Sequence, residues 1–411
     1  MENRIIQIGA LSPVEGLPAV KISKRVQELE ESATLAVASK AAAMKTEGLD
    51  VVSLGAGEPD FDTPEHIVAA AEHALRAGET KYAKPASGIP ALKQAIIGKL
   101  KRENGLVYQP NEVLATVGGK EALWLAFATL LDPGDEVIIP APYWVSYPEQ
   151  VHVAEGVPVI IEASAEAGFR ITPAQLEAAL TPRTRAFVFN SPSNPTGAAY
   201  KPDEIDALAA VLEDRNDVTV LSDEIYDRLL YGGRTHKSYA AVSDHTFQHT
   251  ITFNAGSKTY SMTGWRIGYA AGPAEVIGGM GKLQSQTSSG AATFTMHALA
   301  AALDGNQQCV EEMRVEFESR ADYLYRRLNE LPGVSCPAAA GAFYAFPDVS
   351  GVYSHVGVDS STAFATKLLE DAYVAVVPGE AFGADACVRL SFATSMENIK
   401  KGLDRIEEFL G

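Results

Sequence analysis

From Glu112 onward, short apolar runs recur along the chain at Glu112–Val117, Glu136–Ala141, Val157–Glu162, Arg185–Asn190, Val218–Ser222, Thr250–Asn254 and Arg266–Ala271. Most are apolar through their length instead of alternating, which is the pattern of strands buried on both faces. Helix-like segments such as Glu121–Leu131 and Pro202–Asp214 lie between them. Strand–helix alternation of this kind predicts an α/β fold with a mostly parallel sheet covered on both sides. Nearer the C-terminus the pattern changes. Met313, Phe317, Leu324, Leu328 and Leu331 mark one face of a long amphipathic helix. Ile399, Leu403, Ile406 and Leu410 mark another, with Ser395 as its N-cap. Short strands are expected between them at Ala342–Phe346, Ala375–Val377 and Val388–Phe392. This reads as a smaller α+β domain, to which the segment before Gly57 adds. The expected division is an irregular arm over 1–20, a small domain of 21–57 with 305–411, and a large domain of 58–304.

The length of 411 residues fits two domains. The hydrophobic fraction of 46% and charged fraction of 21% are those of a soluble globular protein. A net charge of −18 argues against a nucleic-acid surface and against a polybasic membrane anchor. No apolar run approaches the ~20 residues of a membrane span, and no signal peptide is read at the N-terminus. Cys309, Cys336 and Cys387 are odd in number, widely spaced and form no C-x-x-C, which fits a reducing, cytoplasmic setting. His245 and His249 lie four apart in a polar stretch without further ligands, so no metal site is expected.

Candidate chemistry falls into separate clusters. Thr116-Val117-Gly118-Gly119-Lys120 ends a strand and starts a helix, a turn that lets backbone N–H groups approach an anion. Neither Gly55-Ala56-Gly57-Glu58-Pro59 nor Gly256-Ser257-Lys258-Thr259 completes a nucleotide-binding pattern. Ser222-Asp223-Glu224-Ile225-Tyr226 sets a carboxylate and a phenol at the carboxyl end of a buried strand. Lys258 follows another such strand; in a dry setting it loses its proton more readily, as a Schiff-base amine requires. Arg266, eight residues on, is suited to hold a phosphate. Asn194 sits between two X-Pro bonds, and Arg389 lies inside an apolar segment, where a bidentate carboxylate is its natural partner. Each cluster alone also fits a plain reading: a tight turn, a helix cap at Asp223, or a surface ion pair.

Taken together and in order, Gly-Gly-Lys, Pro142-Tyr143-Trp144, Ser193-Asn194-Pro195-Thr196-Gly197, Ser222-Asp223-Glu224-Ile225-Tyr226, Ser257-Lys258 and Gly264-Trp265-Arg266-Ile267-Gly268 resemble the class I pyridoxal-phosphate aminotransferases. The resemblance runs from about Ser23 to the C-terminus and is strongest to the bacterial-type aspartate aminotransferases, a branch that includes enzymes accepting prephenate. It implies fold type I, with a mostly parallel seven-stranded sheet in the large domain, and a homodimer with shared sites. By resemblance, Lys258 bonds the cofactor, Asp223 pairs with its pyridine nitrogen, and Tyr226 and Asn194 meet the ring 3′-oxygen. Trp144 stacks on the ring. Gly119, Lys120, Ser257 and Arg266 hold the phosphate, joined by Tyr82 from the neighbouring subunit. Arg389 clamps the substrate α-carboxylate with the Gly57 backbone, Lys120 meets the distal carboxylate, and Thr34 matches a residue linked with prephenate use. The implied reaction is ping-pong transamination of L-aspartate with 2-oxoglutarate. Alternatives on the same fold are a prephenate, aromatic or broad-range aminotransferase and a lyase; a regulator with an aminotransferase-like domain is a reading from another class. Two positions depart from the pattern: Glu30 replaces the lysine of prephenate-using relatives, and Ala255 replaces a phosphate-binding serine.

Overall fold

A computed structural model describes residues 20–29 and 32–411. The expectations for residues 1–19 and for Glu30 therefore lie outside the described residues. The chain divides into two compact units, 1–30 and 31–411. In the first, the short helix Lys24–Gln27 is capped by Ser23, whose Oγ accepts from the Val26 N–H at 3.4 Å.

The second unit holds twelve strands among the described residues: β1 (Val52–Ser53), β2 (Val113–Thr116), β3 (Glu136–Ala141), β4 (Val157–Glu162), β5 (Thr184–Asn190), β6 (Thr219–Asp223), β7 (Thr250–Ala255), β8 (Gly268–Ala271), β9 (Tyr344–Ala345), β10 (Val374–Ala375), β11 (Val377–Pro378) and β12 (Val388–Ser391). Seven of them form one sheet in the order β2-β8-β7-β6-β5-β3-β4. The ladders from β4 through to β7 are parallel, and β8 runs antiparallel to both its neighbours. The expected mostly parallel, seven-stranded sheet is therefore present.

Successive strand residues point to opposite faces, and the core divides accordingly. Val137, Ile139, Val188 and Leu221 pack with Leu123 and Phe127 of the helix Gly118–Leu130. Ile138, Phe187 and Val220 pack with Ile205 and Leu208 of the helix Pro202–Val211. Each large aliphatic or aromatic side chain so buried contributes about 1.5–3 kcal/mol before entropy is counted. β4 departs from the two-faced expectation. It is the sheet's edge, and Val157 and Ile160 are 45% and 42% exposed.

Of the boundaries that moved, three bear on the site. β8 begins at Gly268 and not Arg266, because Arg266 takes a left-handed conformation (φ 51°) that ends any extended run. β6 runs one residue further than expected and includes Asp223. The helix expected from Glu121 starts at Gly118, so the glycines form its first turn.

The C-terminal third forms a three-stranded antiparallel sheet, β11-β12-β9, beside the helices Gln308–Glu330 and Met396–Leu410. Ser395 caps the latter, accepting from the Asn398 N–H at 3.2 Å. The strand expected over Ala375–Val377 is split: β10 pairs in parallel with β1 (Val52↔Val374), while β11 joins β12. The segment before Gly57 thus shares a core with the C-terminal third, through Val52, Leu54, Phe317, Phe343, Phe392 and Leu403.

Candidate active site

Parallel strands aim their carboxyl ends at one edge of the sheet, and β5, β6 and β7 end there at Asn190, Asp223 and Ala255. A cavity of about 250 Å³ opens at this edge, closed on the other side by Gly57, Tyr344 and Arg389.

Lys258 sits in the short helix Gly256–Thr259 directly after β7. A side chain on Gly256 would strike the Met262 sulfur at 2.8 Å, so glycine is what lets this turn approach the core. The Lys258 ammonium donates to the Gly57 carbonyl. Burial lowers its pKa to about 8, helped by the charges of Arg389 and Arg266 and opposed by Glu58 and Asp223. This is no solvated surface lysine.

Asp223 ends β6 and is followed by a turn, not by a helix it could cap. Its carboxylate accepts from the Tyr147 hydroxyl at 2.7 Å and from the Ile225 N–H at 3.3 Å. Burial pushes its pKa up to about 6, and the neighbouring Glu224 charge acts in the same direction. Tyr226 shares a hydrogen bond of 3.0 Å with Tyr344, and burial pushes its phenol well above the usual range.

Asn190 ties two of these groups together. Its amide donates to the Asp223 carbonyl at 3.0 Å, and its Oδ1 accepts from the Asn194 N–H at 3.1 Å. The Asn194 Oδ1 in turn accepts from Arg389 at 2.9 Å. Both flanking peptide bonds, Ser191-Pro192 and Asn194-Pro195, are cis.

Arg389 is 1% exposed in β12, with its guanidinium 4.5 Å from the Tyr344 ring centre and 5.0 Å from that of Phe382. It also donates to the Gly55 carbonyl at 3.0 Å, while its Nε has no partner. Among the described residues no carboxylate pairs with it, and burial lowers its pKa.

At the opposite wall, Gly119 and Lys120 belong to the first turn of the helix Gly118–Leu130. Gly118 has φ +77°, and a side chain on it would meet the Arg266 guanidinium at 2.7 Å. Arg266 therefore lies against a helix N-terminus, two positive features at one place. Lys120 extends over the Trp144 ring at 4.9 Å, and burial together with Arg266 lowers its pKa.

Of the residues expected in the site, Lys258, Asp223, Tyr226, Gly119, Lys120, Trp144, Asn194, Gly57, Arg389 and Thr34 all line this cavity. Ser257, buried beside Lys258, and Arg266 do not line it; Tyr82 is 83% exposed and lies off its walls. Tyr147, Tyr344 and Asn190 were missed. Tyr147 stands one helical turn beyond Trp144, a usable spacing, but nothing local ties Tyr344 to Tyr226. The donor set fits pyridoxal phosphate: an amine in dry surroundings, a buried carboxylate for the ring nitrogen, an aromatic face, and a glycine turn backed by a guanidinium for the phosphate.

The profile of aminotransferase classes I and II matches residues 49–406. Similar proteins include the aspartate aminotransferase of Bacillus sp. (strain YM-2), 48% identical over 95% of this chain and 99% of that protein. The aspartate/prephenate aminotransferase of Nitrosomonas europaea is 47% identical, over 95% of this chain and the whole of that one. Among solved structures, the aspartate aminotransferase from Rhizobium meliloti superposes with a TM-score of 0.91 at 44% identity, covering 95% and 99% of the two chains. The aspartate aminotransferase from Thermus thermophilus with maleate gives 0.89 at 46%, covering 95% and 100%.

Proposed function

This chain belongs to the class I and II aminotransferases, and from that premise we propose how its own residues carry the reaction. It is an aspartate aminotransferase that uses pyridoxal phosphate, passing the amino group of L-aspartate to 2-oxoglutarate by a ping-pong route. When bound, the cofactor supplies an electron sink for the charge left when the substrate Cα loses its proton. Asp223 would hold the proton on the pyridine nitrogen, and Tyr226 and Asn194 would meet the ring oxygen. Trp144 would cover the ring, while the Gly119–Lys120 backbone, Ser257 and Arg266 would hold the phosphate. Lys258 would hold the cofactor through its amine and would serve as the general base at the substrate Cα.

The observation that carries the assignment to an amino-acid substrate is Arg389, a fully buried guanidinium with no carboxylate partner among the described residues. A buried charge needs a counter-charge, and the substrate α-carboxylate supplies it. Lys120, across the same cavity, is the second cation for a dicarboxylic substrate, and Thr34 contributes to the wall between. Residues 58–304 act as the large domain and 21–57 with 305–411 as the small one, whose closure excludes water. The exposed Tyr82 supports a homodimer in which it reaches a second copy's phosphate. Free cysteines in the described chain suit a cytoplasmic protein.

The test is the half-reaction. L-Aspartate alone should change the visible absorbance of the bound cofactor, and 2-oxoglutarate should reverse the change. A holoenzyme that ignores aspartate and responds to aromatic amino acids would overturn the substrate.

A further inference from the structure

Two buried carboxylates on the stretch that carries Asp223 and Tyr226 play no part in the reaction as derived. Glu224 and Asp227 are 1% and 6% exposed, and neither lines the cavity. Glu224 accepts from the Ser222 hydroxyl at 2.9 Å, the Ser238 hydroxyl at 2.6 Å, the Asn104 amide at 3.3 Å and the His236 Nε2 at 2.9 Å. Asp227 pairs with buried Lys99, which also donates to the Asn104 Oδ1 at 3.0 Å and lies 3.6 Å from Glu103. The Glu224 carbonyl accepts from the Asn254 amide at 2.9 Å, and Asn254 lines the cavity. Glu103 is itself paired with Arg228, so Glu224 and Asp227 are left to face Lys99 and, when it is charged, His236. Burial works against the imidazolium, but Glu224 and Asp227 outweigh it and raise the His236 pKa. The neighbouring phenols of Tyr108, Tyr260 and Tyr269 are pushed up by burial and stay neutral.

Replacing a buried ion pair with apolar residues is often neutral or stabilising, so the pair is weak as a source of stability. Its place suggests another role. Asp223 and Glu224 are consecutive carboxylates, and a like charge nearby disfavours the ionised form of each. The other titratable groups around Asp223 are Tyr147, Tyr226 and Lys258. We propose that His236 is a positioning residue for the transamination: bonded to Glu224, it cancels the charge beside Asp223 and fixes the 223–227 turn, so that Asp223 stays ionised for the cofactor nitrogen. The inference rests on the proposed function in one respect, that Asp223 partners that nitrogen.

The experiment compares holoenzyme with His236→Gln, Glu224→Gln and the double variant. The reading is the pH at which half of the pyridoxal phosphate is retained on dialysis, taken beside the thermal midpoint. In His236→Gln, Glu224 keeps its serine and asparagine donors and the Lys99 charge, stays ionised, and opposes Asp223. The acid limb of retention should rise by about one pH unit, roughly a tenfold weakening on that limb. Glu224→Gln should move the limb down, and the double variant should return towards the parent. Shifts in the same direction, or weaker retention at every pH with an unmoved limb, would overturn the proposal in favour of a purely structural role. If His236→Gln does not fold, the sign of the Glu224→Gln shift decides alone. A parent enzyme unresponsive to aspartate would sink the substrate assignment while leaving these limbs readable.

Discussion

Lys258 and Asp223 show what a residue's surroundings do to its chemistry. The amine titrates at about 8 and the carboxyl at about 6, both moved chiefly by burial. Below about pH 8 the Lys258 amine is protonated and cannot attack an aldehyde; above it the free amine dominates. The rate at which the apoprotein captures pyridoxal phosphate should therefore climb roughly tenfold between pH 7 and pH 9 and then level off. A stopped-flow pH series checks this, and a rise of about a hundredfold that does not level off by pH 9 would show that the amine is not held in a dry site. At this scale the sequence was readable where a motif is continuous. Asp223, Asn194, Lys258 and Arg266 each stand in a run whose neighbours share their purpose. Tyr344 was not readable, because its meaning lies in a hydrogen bond to Tyr226, 118 positions away.

The seven-stranded sheet was legible as an element pattern because buried parallel strands need unbroken apolar runs, and those runs are long enough to see. Its details were set by tertiary contact. The antiparallel direction of β8 follows from the tight connection through Lys258 and Arg266, which returns the chain beside β7 without a crossover helix. That return brings Gly268 against the Gly118–Gly119 turn. A side chain there would lie 2.7 Å from the Gly119 nitrogen and 2.8 Å from the Gly118 carbonyl carbon, both backbone atoms that cannot rotate aside. Gly268→Ala should cost about 1–3 kcal/mol of stability and weaken cofactor retention more than Gly278→Ala, whose Cβ meets nothing within 4 Å. Thermal midpoints and equilibrium dialysis of the two variants test the difference.

Across the whole molecule, the site draws on segments far apart in sequence: Gly57, the strand ends from 190 to 255, and Arg389. Tyr82, expected in the site, is 83% exposed on its own chain, and a homodimer would account for it. Lys258→Ala should lose turnover by several orders of magnitude, and Tyr82→Ala should hold the cofactor more weakly. Mixed and allowed to exchange subunits, the two should recover about a quarter of the parent's sites, since half of the dimers are hybrids and each hybrid has one intact site. No recovery after verified exchange would mean that each chain completes its own site.

The bond between Arg389 and the Gly55 carbonyl has a consequence for how the protein is made. The ribosome delivers Lys258 about 130 residues before Arg389, roughly 7–26 seconds at ordinary translation speeds. During that interval the nascent chain carries Lys258 without the strand whose Arg389 bonds both Gly55 and Asn194. The buried guanidinium is therefore among the last parts of the cavity wall to be made, and a product stalled short of β12 would carry Lys120 and Lys258 without it.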